Sequence, residues 1–423
     1  MVPRVLLLML VGCQPPPDVP EADERDPCVG APGTICTWLG VPQTAMFSAE
    51  GLHRLDATIY SPVDGLWGPD GRFYAIDFNS HRIRVVDPQT DLVSTVAGSG
   101  FLGDGPEGPA LEYTFNHPAG LAFDPADDHQ LVVAAWANNR VVRVALDTRI
   151  GSYAYGTGLP GFSSDGGPAS EASFDHVSSV AFEPDGTMYL TDQRNQLIRR
   201  VDPSGTLSTL VGRVETRVLD YDGDPDTPGH EVTRGWEGYA GDGGPAAEAQ
   251  VYSDQGTYGH ISHRVAIHER SLFFVDTGNH LVRKVDLDSG QIDRVAGRVE
   301  TREQDRDGDR ATPPDLVTRG WPGFEGEGTS ALDVFNRPTD IEVGVDGTLF
   351  IADRDNHCVR RIDPDGIVTT VAGICGVTEA GFSGDGGPAT EARLWQPFGI
   401  ALAPDGRLFI ADTNNQVFRV VYP

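Results

Sequence analysis

Two runs of aspartate carry the spacing of a site for a hard cation. The first reads Asp220-Tyr-Asp222-Gly-Asp224-Pro-Asp226 with Glu231 downstream; the second reads Asp305-Arg-Asp307-Gly-Asp309. Carboxylates at i, i+2 and i+4 across a glycine turn bring several oxygens to one point, which is what calcium requires. Glu231 falls at the twelfth position counted from Asp220, where a calcium loop places its bidentate ligand. Position six departs from that pattern, being Pro225 or Arg310 instead of glycine, and Leu316 stands where the second run needs its glutamate. A second set is histidine: His117, His176 and His263, with His260 as the alternative to the last, each just ahead of an apolar run. Three imidazoles around one opening bind zinc and leave a water position free. Asp64, Arg264, Arg337, Asp340 and Gln396 occupy comparable positions and are candidate ligand-binding groups. No Gly-x-Ser-x-Gly nucleophile motif is present.

What positions these residues is a repeated element. An apolar run such as Gly399-Ile-Ala-Leu leads to a Pro-Asp-Gly turn, then to an alternating strand ending in aspartate, Leu408-Phe-Ile-Ala-Asp412. A tight polar turn, a strand such as Val359-Arg-Arg-Ile-Asp363, an Asp-Pro-x-Gly turn and a strand such as Ile367-Val-Thr-Thr-Val-Ala-Gly373 complete the unit. Short β-branched strands between Gly, Pro and Asp turns predict a four-stranded meander. No stretch has a capped 3.6-residue period, so helix is expected to be almost absent. The marker aspartate recurs as Asp77, Asp192, Asp276, Asp353 and Asp412, with Ala135 in the second copy. Successive spacings are 58, 57, 84, 77 and 59 residues, so two units carry insertions, at about 213–240 and 298–325. In both insertions Arg-Val-Glu-Thr-Arg and Val-Thr-Arg-Gly-Trp are expected to pair as hairpin arms with the aspartates at the tip. Six copies of such a unit predict an all-β, six-bladed β-propeller. Five or six copies of an Asp-x-x-Asn turn suit a structural task, since one active site needs one set of groups.

The last copy stops after its third strand, and the missing strand lies at the opposite end. Ile35-Cys-Thr-Trp-Leu-Gly40 matches Val93-Ser-Thr-Val-Ala-Gly98, so an N-terminal strand is expected to complete the last blade and remove the open seam. Units such as Ile351-Ala-Asp-Arg-Asp-Asn-His-Cys-Val-Arg-Arg-Ile-Asp363 resemble NHL repeats. The Thr-Val-Ala-Gly and Gly-Asp-Gly-Gly-Pro-Ala connectors resemble those of teneurin-type NHL propellers, and the resemblance covers about residues 34–423. It implies the propeller fold and leaves function wide, from adhesion and sensing to RNA binding. The peptide-amidating lyases of that group, in which histidines ligate zinc at the propeller axis, imply the same role for His117, His176 and His263.

Residues 1–12 read as a secretory signal, since the apolar core from Val5 to Val11 is too short to span a bilayer. Leu10-Val11-Gly12-Cys13 resembles the bacterial lipobox, which implies cleavage before Cys13, lipidation of its thiol and an outer-membrane address; Gln14 resembles the sorting residue for that membrane. Residues 13–33 would form the tether and 34–423 the propeller. Cys28, Cys36, Cys358 and Cys375 suggest two disulfides. Close spacing favours Cys28–Cys36 and Cys358–Cys375 among three pairings. With 62 acidic against 32 basic residues, formally −30, the chain repels phosphate backbones and disfavours nucleic-acid partners. The expected function is a monomeric, lipid-anchored binding module for a protein or glycan on its acidic loop face, touching the membrane only through the anchor and stiffened by calcium. The alternative is a metal-dependent lyase or hydrolase at the channel mouth.

Overall fold

In a computed structural model that describes residues 30–219, 229–253, 264–304, 315–324, 328–331 and 335–423, the repeat becomes six antiparallel sheets. Each blade runs A-B-C-D from axis to rim. Blade 1 comprises Pro62–Trp67, Phe73–Asp77, Arg82–Asp87 and Leu92–Ala97. Blade 2 comprises Pro118–Asp124, Asp127–Ala135, Arg140–Ala145 and Ile150–Tyr155. Blade 3 is Val177–Phe182, Met188–Asp192, Leu197–Val201 and Leu207–Val211. Blade 4 is Val265–His268, Ser271–Asp276, Leu281–Asp286 and Gln291–Ala296. Blade 5 is Pro338–Val343, Leu349–Asp353, Cys358–Ile362 and Ile367–Ala372. Blade 6 takes Pro397–Leu402, Leu408–Asp412 and Val417–Val421 from the C-terminus and Ile35–Leu39 from the N-terminus. Helix among the described residues is confined to three-residue 3-10 turns.

The N-terminal strand pairs antiparallel with the last, Ile35 opposite Val421 and Cys36 opposite Val420. All five of its residues are buried. Trp38 sits edge-on at 4.9 Å to both Phe73 of blade 1 and Phe409 of blade 6, so this one side chain fills the seam between first and last blades. The apolar core is otherwise distributed as clusters between neighbouring blades, as sheet-on-sheet packing around a ring requires.

Five arginines are among the largest fully buried side chains: Arg84, Arg199, Arg283, Arg360 and Arg419. Each lies seven residues after a marker aspartate. Arg199 reaches Asp192 at 3.6 Å and the connector acid Asp165 at 2.9 Å; Arg283 reaches Asp276 at 3.5 Å and Asp242 at 2.7 Å. A connector aromatic covers each guanidinium: Phe47 over Arg84, Phe162 over Arg199, Tyr239 over Arg283, Phe324 over Arg360 and Phe382 over Arg419. The connector acid in turn accepts from the D strand, as Asp385 does from the Thr37 amide and hydroxyl. The Gly-Asp-Gly-Gly-Pro connector is therefore a clamp on a buried cation. The marker aspartate holds the incoming chain: Asp192 accepts from the Asp175 amide at 2.7 Å and from the Asn195 side chain at 2.9 Å. Burial pushes Asp77 up to about 6 and Asp192, Asp353 and Asp412 up to about 7, against the pull of these donors.

The insertions form the expected hairpins. Val214–Leu219 pairs with His230–Gly235, Val214 opposite Gly235; Val299–Gln304 pairs with Asp315–Gly320 in the same register. Trp236 lies between Arg217 and Arg234, and Trp321 between Arg302 and Arg319. Cys358 and Cys375 are bonded, tying the C strand of blade 5 to the connector that leaves it, and Cys36 is disulfide-bonded as well. Cys13 and Cys28 lie outside the described residues.

Candidate functional site at the channel mouth

The B–C turns and the chain entering each A strand meet on one face around the axis. Every B–C turn ends in a left-handed residue four positions after the marker: His81, Asn139, Gln196, His280, His357 and Gln416. Each accepts a hydrogen bond from a backbone amide of the next blade. Gln416 Oε1 takes Ser61 N at 2.6 Å, His81 Nδ1 takes His117 N at 3.4 Å, and Asn139 Oδ1 takes His176 N at 2.9 Å. Gln196 Oε1 takes Ser253 N at 2.6 Å, His280 Nδ1 takes Arg337 N at 2.9 Å, and His357 Nδ1 takes Gln396 N at 3.1 Å. The six bonds form a closed belt. They also place Ser253 in the entry position of blade 4. Three positions separate Ser61 from Asp64, but eleven separate Ser253 from Arg264, so an insertion displaces the count.

Below the belt, equivalent positions of the six blades form a ring of Asp64, Gly120, Ser179, Arg264, Asp340 and Gly399, Arg264 lying just ahead of its A strand and the others within theirs. Arg264 crosses from blade 4 to donate to Asp64 at 2.7 Å, to the Val63 carbonyl at 3.1 Å and to the Ala119 carbonyl at 2.6 Å. Asp64 joins blades 1 and 2 by accepting Leu121 N; Asp340 joins blades 5 and 6 by accepting Ile400 N. A side chain at Gly399 would meet the Val63 carbonyl at 2.4 Å, so glycine there permits the close approach of blades 6 and 1. Burial pushes Asp64 up and Asp340 up to about 7. One layer on, Glu342 is the carboxyl among Leu66, Ala122, Ala181 and Ala266. Burial and the neighbouring Asp340 and Asp64 hold its pKa well above the usual range. It borders a cavity of about 230 Å³ that opens along the axis. A larger space of about 650 Å³ lies away from the axis, between blades 1 and 2.

Above the belt the blades cease to be alike. On blades 1 to 3, His117 packs on Phe78 at 4.7 Å and on His81 at 4.5 Å, and His176 packs on Trp136 at 4.3 Å. Trp136 Nε1 donates to Gln193 Oε1 at 2.8 Å, while His176 Nδ1 pairs with Asp175 at 2.6 Å. Burial and His81 lower His117 to about 4. The buried indole of Trp136 is packed against both histidines, and no group of three His, Cys, Asp or Glu among the described residues is placed to hold a metal. His260 and His263 lie outside the described residues. On blades 5 and 6, Asp355 accepts from Arg354 at 3.1 Å and from Gln396 at 3.2 Å, with Arg337 at 3.6 Å. Asn414 donates to Gln396 Oε1 at 2.7 Å, and within neighbouring blade 1 Asn79 donates to Ser61 at 2.9 Å. Trp395 and Tyr60, next to Gln396 and Ser61, are 40% and 37% exposed.

Of the candidate ligand residues, Arg337 and Gln396 therefore reach the mouth, while Asp64, Arg264 and Asp340 are engaged with one another and with backbone inside the channel. Glu231 stands exposed on its hairpin opposite Val218. Asp220, Asp222, Asp224, Asp305, Asp307 and Asp309 lie outside the described residues. Trp136, Arg354, Asp355 and the belt acceptors were not singled out from sequence. The acceptors leave a signal there, since the fourth residue after each marker is always His, Asn or Gln.

Residues 335–362 match the family model for the NHL repeat, and they span strands A to C of blade 5 with its Asp353, Asn356 and Arg360. Blades 3, 4 and 6 repeat that constellation, with Asp192, Asn195 and Arg199, with Asp276, Asn279 and Arg283, and with Asp412, Asn415 and Arg419. The chain is a six-bladed β-propeller with an NHL repeat in blade 5. This propeller is 26% identical to teneurin-1 of Mus musculus over 388 residues, covering 86% of the chain and 12% of teneurin-1. NHL repeat-containing protein 2 of Gallus gallus is 23% identical over 356 residues, 83% of the chain and 44% of that protein. The propeller thus spans a minor part of the length of either relative. Among solved structures, an auxiliary nutrient binding protein from Bacteroides thetaiotaomicron superposes with a TM-score of 0.59 at 16% identity, over 91% of this chain and 75% of that one. One from Bacteroides ovatus gives 0.58 at 16% identity, over 91% and 75%.

Proposed function

We propose that this NHL propeller is a non-enzymatic glycan-binding module displayed on a bacterial envelope through a lipid on Cys13. The observation that carries the reading is the break in symmetry at the mouth. Scaffold positions repeat from blade to blade, whereas the mouth of blades 5, 6 and 1 gathers Arg354, Asp355, Gln396, Asn414 and Asn79 beside two exposed aromatic rings. Planar rings stack on the apolar face of a sugar, and amides with a paired guanidinium and carboxylate bond its hydroxyls. Solved propellers of the same fold named as nutrient binding proteins agree with a role in ligand capture. No helix of the described residues is long and apolar enough to cross a membrane.

Screening the full chain on a glycan array and titrating the ligands found tests the site. Trp395→Ala is expected to weaken binding roughly 30-fold, about 2 kcal/mol, as loss of an aromatic hot spot does. Glycan affinity indifferent to both Trp395→Ala and Arg354→Ala rules the mouth out. Fractionation tests the anchor: Cys13→Ser is expected to move the protein from the membrane to the soluble fraction, and an unchanged distribution rules the lipid out.

A further inference from the structure

We propose that blade 5 is held at the mouth by two proton-sensitive latches, His280 on one side and His357 on the other, which release its mouth edge in acid. The belt has six equivalent bonds, but their acceptors differ in chemistry. Ser61 and Ser253 are held by the side chains of Gln416 and Gln196, which do not titrate. Arg337, where the chain enters blade 5, is held by Nδ1 of His280, and Gln396, where it leaves for blade 6, by Nδ1 of His357. An imidazole accepts at Nδ1 only while that nitrogen carries no proton. Protonation turns the acceptor into a donor facing a donor, so each latch must open to take the proton.

The surroundings favour the closed, neutral form. Around His280 the charged groups of the described residues are Arg337 of blade 5 and Arg319 of the second hairpin, both cationic. Burial first, then these two arginines, lower its pKa to about 3. Around His357 stand Arg354 and Asp355 of its own turn and the Val377 backbone; burial lowers its pKa, with Asp355 opposing. Asp276 and Asp353, at the starts of the same turns, accept from the side chains of Asn279 and Asn356. An opened latch exposes an imidazole of ordinary affinity, with a pKa near 6.5. Closure is fully favoured above pH 6.5, and below it each pH unit multiplies the open population of a latch by up to about ten until the closed-state value is reached.

Hydrogen exchange resolved to single amides on the full chain reads the latches directly, because the amides of Arg337 and Gln396 are the donors. Between pH 7 and pH 5 the protection of Arg337 N–H is expected to fall roughly 25-fold after correction for intrinsic exchange, with Gln396 moving in the same direction. Ser61 and Ser253 should hold their protection over that range. His280→Gln and His357→Gln copy the acceptor of blades 3 and 6, so they should keep the protection at pH 7 and remove its fall. Parallel behaviour of all four amides in the unmodified protein overturns the proposal, as does a glutamine variant whose Arg337 protection still falls.

Discussion

The second blade is an experiment on the buried ion pair already present in the chain. Where the other blades have a marker aspartate and an arginine seven residues on, blade 2 has Ala135 and Val142, both fully buried. The aromatic that covers the arginine elsewhere lies three residues before the connector acid, as Phe162 before Asp165; in blade 2 that place holds Asp104, before Glu107. The three changes occur together, and a cation reappears closer to solvent: Arg140 pairs with Asp104 at 3.2 Å and lies 4.0 Å from the ring of Tyr153. This is what the energetics of buried pairs require, because a lone buried charge costs far more than an apolar replacement of the pair. Asp192→Ala is therefore expected to cost about 3–5 kcal/mol, since it leaves Arg199 buried with only Asp165 as an anion. Adding Arg199→Val should recover at least about 2 kcal/mol of that loss in urea denaturation, the coupling expected of groups in contact. Losses that simply add would show that the pair is not a unit.

At the scale of elements, much was legible because the strands obey local rules. Alternation in Leu408-Phe-Ile-Ala-Asp412 and the Pro-Asp-Gly turns set strand type and order, and the match of residues 35–40 to 93–98 identified the closing strand before any pairing was seen. The hairpin arms were legible for the same reason: Thr216 and Thr233, or Thr301 and Thr318, bond across the pair at 2.7 and 2.6 Å as like positions in duplicated sequence. The connectors were read as compact turns, which is right about shape. That Asp385 and Phe382 clamp Arg419 was not legible, since the three meet only when connector and C strand lie on adjoining sheets. The mouth was harder still. Its side chains come from six places about 60 to 85 residues apart, and residues 254–263 displace the fourth from any count. A local pattern fixes a residue's place along its strand but not its height above the belt, and that height separates Gln396 at the mouth from Asp340 in the channel.

For the whole molecule the decisive fact is that the chain forms a ring and has to close it. A row of blades would have two ends, and local loss at one end would leave the rest standing. Here the strand Ile35–Leu39 converts ends into a seam, and everything about it is load shared between blades 6 and 1. Its Thr37 is clamped by Asp385 of the preceding connector, the Trp38 carbonyl accepts Arg54 at 2.7 Å, and the Trp38 ring packs on both flanking blades. Opening the seam uncovers apolar faces on two sheets and an unpaired strand edge, so the loss spreads around the ring. Trp38→Ala is accordingly expected to cost about 3–5 kcal/mol of global stability, the usual range for a buried tryptophan, although the strand is only five residues long. Calorimetry should show the whole propeller melting in one transition at lower temperature, in variant and parent alike. A separate early transition, with the remaining blades melting at the parental temperature, would mean that blade 6 is an end and not a clasp.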